Sequence, residues 1–558
     1  MKVADYIVQK MIDAGTTDAF GIPGGVILKL LYAMKERVPE FTPHLSCHEQ
    51  AAGFAACGYA HASGKLGVAY ATRGPGISNM FTCIAEAYQE SLPVLFVTAH
   101  GERSVSRVRF SHNQELDFVS CVSGITKYSV SVDCVEQVCV CVNEAINKAL
   151  SGRKGPVVLD ISSSLWEKEI VETDDKNISD YELLEGSAEL AVRAICDRLK
   201  YSRRPVFLIG DGLRHVVSKD DLYALAEKMG IPFLSSRGSQ DLMSGSEYYY
   251  GYIGSHGTRY SNYILSKSDL IISVGNRLAV PVNSLSYRPV FEQAYLIRVD
   301  IDENEFSRDI VGSLNFKCDG KYVIEGLLKA GAFKNDPAWL ETCMTLKREL
   351  TGYDCPTPVN RLESFIRTQA ADTVYVCDVG NNELWFSRAF EKVGRRSEVL
   401  CPKSFAALGS ALGKAIGAYF ATGRKVVCVC GDQGFQFNSQ ELQFIKSNSI
   451  PMTIVIVNNE SSGMIADHER TVFGEDLYHV SRDNGYILPD FKVLAFGYGI
   501  GYTAEEEATA SADSGEPLIY EIKVTDDIPL EPNLPRGNRC QDMYPPLPQE
   551  LAQKLDML

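Results

Sequence analysis

Short apolar runs alternate along the whole chain with longer amphipathic stretches, and most of these runs end in a polar or glycine-containing turn. This alternation is typical of strands and helices that build an open, mostly parallel sheet. We therefore predict an α/β fold, and because the pattern restarts twice within 558 residues, we expect three doubly wound parallel-sheet domains. The predicted divisions are domains at 1–165, 190–335 and 360–530, a polar linker at 166–188 and a proline-rich tail at 531–558.

One pair of neighbouring apolar runs ends in residues that suit a metal ion. Asp432 follows the first run and Asn459 follows the second. Parallel strands joined by a crossover helix end at the same edge of a sheet, so we expect the two side chains to be neighbours. A carboxylate, an amide oxygen and the backbone carbonyl of Ser461 suit Mg²⁺, which also takes phosphate oxygens and water. An ordinary βαβ unit with polar strand ends explains the same residues.

The chain carries a formal charge of −16, which argues against a nucleic-acid partner because such a partner needs a basic face. It also disfavours binding to anionic membranes. The amino terminus has no signal-peptide pattern and no apolar run is long enough to span a membrane, so we expect a cytoplasmic protein. The 16 cysteines stand mostly inside apolar runs, and we interpret them as small core residues rather than disulfides or zinc ligands.

The first predicted domain carries four motifs in a fixed order. They read Gly-Ile-Pro-Gly-Gly at 21–25, His-Glu-Gln-Ala-Ala-Gly-Phe-Ala-Ala-Cys-Gly-Tyr-Ala at 48–60, Gly-Pro-Gly-Ile-Ser-Asn at 74–79 and Ala-Glu-Ala-Tyr-Gln-Glu-Ser-Leu-Pro-Val at 85–94. Together they resemble the pyrimidine-binding domain of thiamine diphosphate (ThDP) enzymes, and acetolactate synthase large subunits in particular. The small residues of the second motif predict a helix that packs very closely against a neighbour.

The resemblance implies a role for several residues of the first domain. Glu49 matches the carboxyl group that bonds the aminopyrimidine ring of ThDP and favours the tautomer able to take up the reactive proton. Gly24, Pro75 and Asn79 match positions that contact the cofactor, and Gln114 matches a residue on the substrate side.

The third domain resembles the diphosphate-binding domain of the same family. The resemblance makes Asp432, Asn459 and Ser461 Mg²⁺ ligands, although Gln433 replaces the usual third glycine of the Gly-Asp-Gly fingerprint. It makes Leu408 the apolar wedge that holds the two cofactor rings in a bent arrangement. It also assigns to the cofactor the residues Gly380, Asn381, Asn382, Gly431, Gln433, Gly434, Gly463 and Met464.

The second domain resembles the middle domain of these enzymes, which binds FAD in acetolactate synthases and another nucleotide or nothing in related enzymes. The matching positions are His256, Gly257, Thr258, Arg277, Asp300 and Asp319. The Phe-Asp-Asp-Arg stretch that follows Gly-X-Arg in the family is absent, since residues 278–281 read Leu-Ala-Val-Pro. One charged contact to the flavin is therefore missing, and FAD, another nucleotide or an empty domain all remain open.

The chain departs from acetolactate synthases on the acceptor side of the implied site. Arg73 replaces a small polar residue, Asn113 replaces an aromatic residue, and no tryptophan stands near Asp467 and His468. Neutral drift on loops explains these changes, and so does an acceptor richer in hydroxyl groups or charge than pyruvate.

The resemblance implies a carboligase that decarboxylates a 2-oxo acid, most simply pyruvate, and transfers the two-carbon unit to a carbonyl acceptor. The alternatives are a carboligase that uses a keto-sugar nucleotide or another carbonyl, a simple 2-oxo acid decarboxylase, and a subunit without catalysis. The decarboxylase lacks support because His112 is followed by Asn113 and not by a second histidine. In the family, the residue that Glu49 matches acts on a cofactor whose diphosphate is held by another subunit, at the positions that Asp432 and Asn459 match. We therefore expect a homodimer or homotetramer. A regulatory subunit is a further candidate partner.

Overall fold

The computed structural model describes residues 1–101, 113–170, 181–278, 285–307, 310, 312–333, 336–354, 356–474, 476–507, 515–524 and 528–558, with only the backbone of 181–186. The predicted residues His112 and 279–281 lie outside this part of the chain. Three six-stranded sheets are built from parallel strand pairs with helices between the strands, which confirms the predicted fold class.

The first sheet lies in the amino-terminal part of the chain. Its strands are β1 (Asp18–Gly21), β2 (Thr42–Leu45), β3 (Gly67–Tyr70), β4 (Val94–His100), β5 (Tyr128–Val132) and β6 (Val157–Ser162). The accompanying helices are α1 (Val3–Asp13), α2 (Leu28–Lys35), α3 (Glu49–Ser63), α4 (Pro75–Ser78), α5 (Phe81–Glu90), α6 (Phe118–Val122) and α7 (Val135–Leu150). The strand order is β2-β1-β3-β4-β6-β5.

The second sheet lies in the middle of the chain. Its strands are β7 (Pro205–Ile209), β8 (Phe233–Ser235), β9 (Tyr249–Tyr252), β10 (Leu270–Val274), β11 (Tyr295–Asp300) and β12 (Leu314–Lys317). The helices around it are α8 (Tyr181–Leu199), α9 (Lys219–Met229), α10 (Arg259–Lys267), α11 (Arg288–Gln293), α12 (Gly320–Lys329) and α13 (Pro337–Leu350). The strand order is β12-β11-β10-β7-β8-β9.

The third sheet follows. Its strands are β13 (Val374–Cys377), β14 (Glu398–Leu400), β15 (Val426–Gly431), β16 (Thr453–Asn458), β17 (Gly501–Ala504) and β18 (Leu518–Lys523). The helices of this part and of the tail are α14 (Thr357–Thr368), α15 (Asn381–Val393), α16 (Ala411–Thr422), α17 (Asp432–Gln436), α18 (Leu442–Ser447), α19 (Gly463–Phe473), α20 (Phe491–Tyr498) and α21 (Gln549–Met557). The strand order is β14-β13-β15-β16-β18-β17.

Each sheet has a topological switch point, where the strand order reverses. It lies between β1 and β3 in the first sheet, between β10 and β7 in the second and between β13 and β15 in the third. Loops leave the two strands in opposite directions there, which opens a crevice outside their carboxyl ends, the usual ligand position in open α/β sheets. The switch points therefore direct attention to the turns that follow these six strands.

The chain divides into two compact units. One comprises residues 1–177, 373–383 and 400–527, and the other comprises 178–372, 384–399 and 528–558. In the first unit a single apolar core contains side chains from both the first and the third sheet regions, including those of α3 and α16. A Cβ at Gly58 would run into the carbonyl oxygen of Lys414, and one at Gly417 into that of Ala55. These glycines confirm the predicted close packing of the helix that follows Glu49.

The structure adds detail to two segments, the predicted linker and the predicted tail. The predicted linker is too long at both ends, because α8 already begins at Tyr181 and Trp166 is buried, with its ring nitrogen donating to the carbonyl of Val26 at 2.8 Å. A single aromatic anchor in a polar stretch leaves no periodic pattern to recognise. The predicted tail is packed, since Cys540 and Leu555 belong to a core of the second unit. Among the described residues no helix combines the length and apolarity needed to cross a membrane.

Candidate active site

Asp432 stands at the switch point of the third sheet, at the first position of α17. Its side chain is buried. One oxygen, Oδ1, accepts hydrogen bonds from the backbone N–H of Gln433 and from the hydroxyl of Tyr486, both at 2.7 Å. Burial raises the pKa of this carboxyl group to about 6, and the hydrogen bonds oppose that rise. The other oxygen, Oδ2, is buried and has no hydrogen-bond partner in the described part of the chain.

Asn459 follows the neighbouring strand, and its position agrees with the expected pairing. β15 and β16 run in parallel with Gly431 opposite Val457, so Asp432 and Asn459 leave the sheet at the same edge. A Cβ at Gly463 would lie 2.6 Å from Asn459 Nδ2 and 3.0 Å from Asn381 Nδ2. Three predicted site residues, Asn381, Asn459 and Gly463, therefore meet beside the strand ends.

The chemistry of these groups fits a hard cation. Asn381 Oδ1 is buried without a partner among the described residues, as Asp432 Oδ2 is. Unpaired buried oxygens are costly, and a bound ion is a standard explanation for them. The hydroxyl of Ser461 donates to the carbonyl of Val480 at 2.8 Å, which holds the Ser461 side chain in place. No group of three or more His, Cys, Asp or Glu side chains forms a metal cluster in the described ranges.

The turn after β13 faces the turn after β15. Gly380 has a positive φ of 131°, and Asn382 Nδ2 donates to the carbonyl of Asp378 at 2.9 Å. A Cβ at Gly431 would lie 3.3 Å from Asn382 Oδ1, and one at Gly434 would lie 2.5 Å from Asp378 Oδ2. The two glycines thus let the turns approach each other, which brings the predicted diphosphate residues to one edge.

Two further predicted cofactor residues lie at the margin of this edge. Gln433 uses its backbone N–H for Asp432, and its side chain helps to line a cavity of about 310 Å³ together with His479 and Tyr486. Met464 is exposed on the first turn of α19.

Leu408 lies on a turn that two polar side chains hold in place. Both carboxylate oxygens of Asp378 accept a hydrogen bond from the N–H of Gly409, at 2.9 and 3.1 Å, and Asn438 donates to the carbonyl of Gly409 at 2.7 Å. Burial raises the pKa of Asp378 to about 7. Leu408 Cδ1 would lie 3.3 Å from a Cβ at Gly434, so the predicted wedge residue does stand beside the fingerprint turn.

Glu49 is the first residue of α3, beyond the carboxyl end of β2. Asn79 Nδ2 donates to Glu49 Oε2 at 2.9 Å, and a Cβ at Gly76 would lie 3.4 Å from Glu49 Oε1. The turn that carries Asn79 also contacts Gly24, because a Cβ at Gly24 would lie 2.6 Å from Thr72 Oγ1. Glu49, Asn79 and Gly24 are therefore gathered around the 72–79 turn.

Pro75 and Gln114 belong to the same neighbourhood. Pro75 is exposed and begins α4 within the turn. Gln114 is exposed, has a positive φ of 59°, and its carbonyl oxygen abuts the place of a Cβ on Gly74.

Glu441 is a buried carboxylate that the sequence analysis missed. It accepts hydrogen bonds from the N–H of Cys47 at 3.1 Å and of His48 at 3.0 Å, directly before Glu49. Burial raises its pKa to about 7, and these two hydrogen bonds lower it. The contact spans nearly 400 positions, so no local pattern could have revealed it. Tyr486, which donates to Asp432, was missed for the same reason, whereas Asp378 had a usable signal as the residue after an apolar strand.

The candidate flavin residues of the second unit are engaged in local contacts. Thr258 Oγ1 accepts from the N–H of Ser261 at the start of α10, and Asp319 accepts from the N–H of Lys321 at the start of α12. Gly257 is packed so closely that a Cβ would lie 2.6 Å from the carbonyl oxygen of Tyr252.

The remaining three candidates are Asp300, Arg277 and His256. Asp300 accepts from the N–H of Asp302 at 3.0 Å, and Arg277 Nε lies 3.5 Å from Glu305 Oε1. Burial lowers the pKa of His256 to about 4, and nearby arginines add to that shift. None of these six residues has a buried polar atom left without a partner. The observation that supports a metal at Asp432 is therefore missing for a flavin here.

The chain contains three parallel sheets. Glu49 stands at a helix start in the first sheet region, and Asp432 stands at the switch point of the third sheet. This arrangement is that of three-domain thiamine diphosphate enzymes. Models of thiamine pyrophosphate enzymes match the chain in the same order: the N-terminal TPP binding domain at 1–121, the central domain at 192–327 and the C-terminal TPP binding domain at 378–521. The chain belongs to the thiamine pyrophosphate enzyme family, which confirms the family resemblance and makes it an enzyme of the thiamine diphosphate-dependent type.

Individual relatives match over almost their whole length. The chain is 29% identical over 559 residues to the acetolactate synthase large subunit of Lactococcus lactis, covering 97% of this chain and 95% of the relative. It is 28% identical over 575 residues to the probable acetolactate synthase large subunit of Methanocaldococcus jannaschii, covering 98% and 96%. The acetolactate synthase isozyme 2 large subunit of Escherichia coli is 27% identical over 565 residues, covering 97% and 99%.

Proposed function

We propose that the protein is a ThDP- and Mg²⁺-dependent carboligase of the acetolactate synthase type. It would cleave the C1–C2 bond of pyruvate, release CO₂ and join the remaining two-carbon unit to an acceptor carbonyl carbon, whose oxygen takes up a proton. The observation that carries this proposal is the buried, unpaired Oδ2 of Asp432 at a switch point, beside the unpaired Oδ1 of Asn381. The names of the relatives supply the reaction type.

The chain's own residues divide the work. Bound ThDP supplies a nucleophilic carbon and an electron sink for the loss of CO₂. Asp432, Asn459 and the backbone of Ser461 would hold Mg²⁺, which would supply positive charge for a diphosphate group. Glu49 holds a proton against the aminopyrimidine ring; Asn79 donates to its Oε2, so Oε1 is the oxygen that exchanges this proton. Leu408 orients the two cofactor rings by contact.

The experiment that tests this function incubates the purified protein with ThDP, Mg²⁺ and pyruvate and measures CO₂, acetolactate and acetaldehyde. We expect CO₂ and acetolactate from the native protein and loss of both in Glu49→Gln. Glu36→Gln, an exposed glutamate of the same domain, is the matched control and should match the native protein. Acetaldehyde in place of acetolactate would identify a simple decarboxylase. Full activity of Glu49→Gln would overturn the assignment.

The assembly and its location belong to the same proposal. We expect a homodimer or homotetramer in which Glu49 serves the Asp432 site of another copy, and a cytoplasmic protein. Relatives named as large subunits support a regulatory partner. Light scattering of the purified protein and copurification from its own cells test these expectations.

FAD stays a prediction from the resemblance, because the candidate residues of the middle region are occupied by caps, turns and an ion pair. An absorbance spectrum of the purified protein between 350 and 500 nm (roughly the range in which bound flavins absorb) tests it directly.

A further inference from the structure

Arg73 lies on the turn that contacts Glu49. The turn follows β3, which pairs in parallel with β4, with Tyr70 opposite Val97. The turn and the residue after β4, Gly101, therefore stand at the same edge of the first sheet. A Cβ at Gly101 would lie 2.7 Å from Arg73 Nη1, so the guanidinium group reaches across to the end of β4. The absence of a side chain at Gly101 makes room for it.

This guanidinium group has no charge partner among the residues that the structure describes. Arg73 is half-buried, and it forms no hydrogen bond or ion pair with any residue that the structure describes. Arg214 provides a comparison within the same chain. It is buried between Asp211 and Asp241, with distances of 2.7 Å to each. A partly buried cation without a counterion loses hydration and gains nothing in return, unless a ligand supplies the anion.

Arg73 stands beside other residues of the candidate site. Asn79 of the same turn donates to Glu49, and Gln114 abuts Gly74, the neighbour of Arg73. A planar guanidinium group binds a carboxylate or a phosphate with two parallel hydrogen bonds, which fixes both position and orientation. A neutral aldehyde or ketone offers no such group.

We propose that Arg73 determines acceptor specificity by binding an anionic group, a carboxylate or a phosphate, on the acceptor molecule. The physiological acceptor is then an anionic carbonyl compound. The inference rests on the proposed carboligase function and names the substrate class for the same site.

The test compares three acceptors with pyruvate as the donor. 2-Oxobutyrate carries a carboxylate, glyceraldehyde 3-phosphate carries a phosphate, and benzaldehyde carries no charge. The readout is the kcat/KM for each acceptor, divided by the value for benzaldehyde. In Arg73→Gln we expect this selectivity ratio to fall about 10- to 100-fold for the physiological class, mainly through KM, as is typical for loss of a charge-assisted hydrogen bond. The anionic acceptor whose selectivity ratio falls more in Arg73→Gln shows whether Arg73 binds a carboxylate or a phosphate.

Three variants control the result. Arg73→Lys keeps the charge but not the paired geometry, so it should restore part of the ratio. Gly101→Ala, which places a methyl group where Arg73 Nη1 lies, should lower the ratio in the same direction. Lys65→Gln removes an exposed cation of the same domain and should leave the ratio unchanged. Thermal unfolding of each variant verifies that it is folded.

Equal losses for benzaldehyde and both anionic acceptors in folded Arg73→Gln would overturn the inference, and so would an unchanged ratio. If the native protein releases no CO₂ from pyruvate, the proposed function fails first. If CO₂ release is normal and the selectivity ratio is the same in the native protein and in Arg73→Gln, only the proposed role of Arg73 fails.

Discussion

The switch points of the second and third sheets have the same topology and different contents. At the third sheet the turns carry Asp432 and Asn381, each with a buried oxygen that lacks a partner in the described part of the chain. At the second sheet, between β10 and β7, the turns touch each other directly. A Cβ at Gly210 would run into the carbonyl oxygen of Gly275, and one at Gly212 would lie 2.9 Å from that oxygen.

The difference shows that a switch point by itself does not make a site. Topology opens a crevice, and the residues then either fill it with their own backbone or leave polar groups that only a ligand can satisfy. In the third sheet the unsatisfied groups are oxygens, the atom type that suits a hard cation such as Mg²⁺. In the second sheet the candidate ligand groups serve helix caps and an ion pair. Four substitutions can break or sharpen this comparison.

The largest effect is expected from Asp432→Asn. We expect CO₂ release from pyruvate to fall at least about a hundredfold, because the charged metal ligand is lost. The metal-free variant should be no less stable than the native protein, since a buried carboxylate with one unpaired oxygen disappears. An assay of CO₂ release measures the first effect, and thermal unfolding with and without Mg²⁺ measures the second. A variant that keeps the native stabilisation by Mg²⁺ and ThDP would contradict the assignment of Asp432.

Leu408→Ala should lower kcat by roughly 10- to 100-fold and leave the Mg²⁺-dependent stabilisation in place. The physical reason is that the side chain orients the cofactor rings and takes no part in metal binding. Leu408→Met preserves most of the volume and is the matched control. Steady-state kinetics with pyruvate measure kcat for both variants. An equal loss of kcat in Leu408→Met would argue against a wedge.

Glu441→Gln should change how stability depends on pH. The pKa of Glu441 in the folded protein is raised to about 7, above its ordinary value of about 4.5. Its favourable contribution is therefore fully present below about pH 4.5 and is lost as the pH rises through 7, by on the order of 1 to 3 kcal/mol. Denaturant unfolding of the native protein and the variant between pH 5 and 8 (roughly the range where the loss falls) measures it. Parallel pH curves would contradict the raised pKa.

The smallest effect is expected from Asp319→Ala. Loss of the N-cap of α12 should lower the free energy of unfolding by about 1 kcal/mol, and Asp319→Asn, which can still cap, should recover most of it. The stabilisation by Mg²⁺ should be unchanged in both variants. A native protein that contains flavin and a variant Asp319→Asn that has lost it would show instead that this residue serves the cofactor.

Local patterns predicted much of this molecule. The alternation of apolar runs and amphipathic stretches indicated the three parallel sheets, and the small residues after Glu49 indicated close helix packing. The positions of Asp432 and Asn459 at one edge followed from the crossover rule alone. The linker was predicted too long, because the burial of Trp166 depends on a contact with Val26 that lies far away in the sequence.

Residue types and their spacing along the chain determined the fold class, the family and the turns that carry Glu49 and Asp432, because strand and helix periodicity and turn chemistry are local properties. Only the tertiary structure decided which polar groups are left without partners. Burial of Asp432 Oδ2, the pairing of Glu441 with the turn before Glu49, and the position of the Arg73 guanidinium beside Gly101 all depend on residues distant in sequence. A hydrogen bond is satisfied in space, and the sequence holds no record of that until the chain has packed.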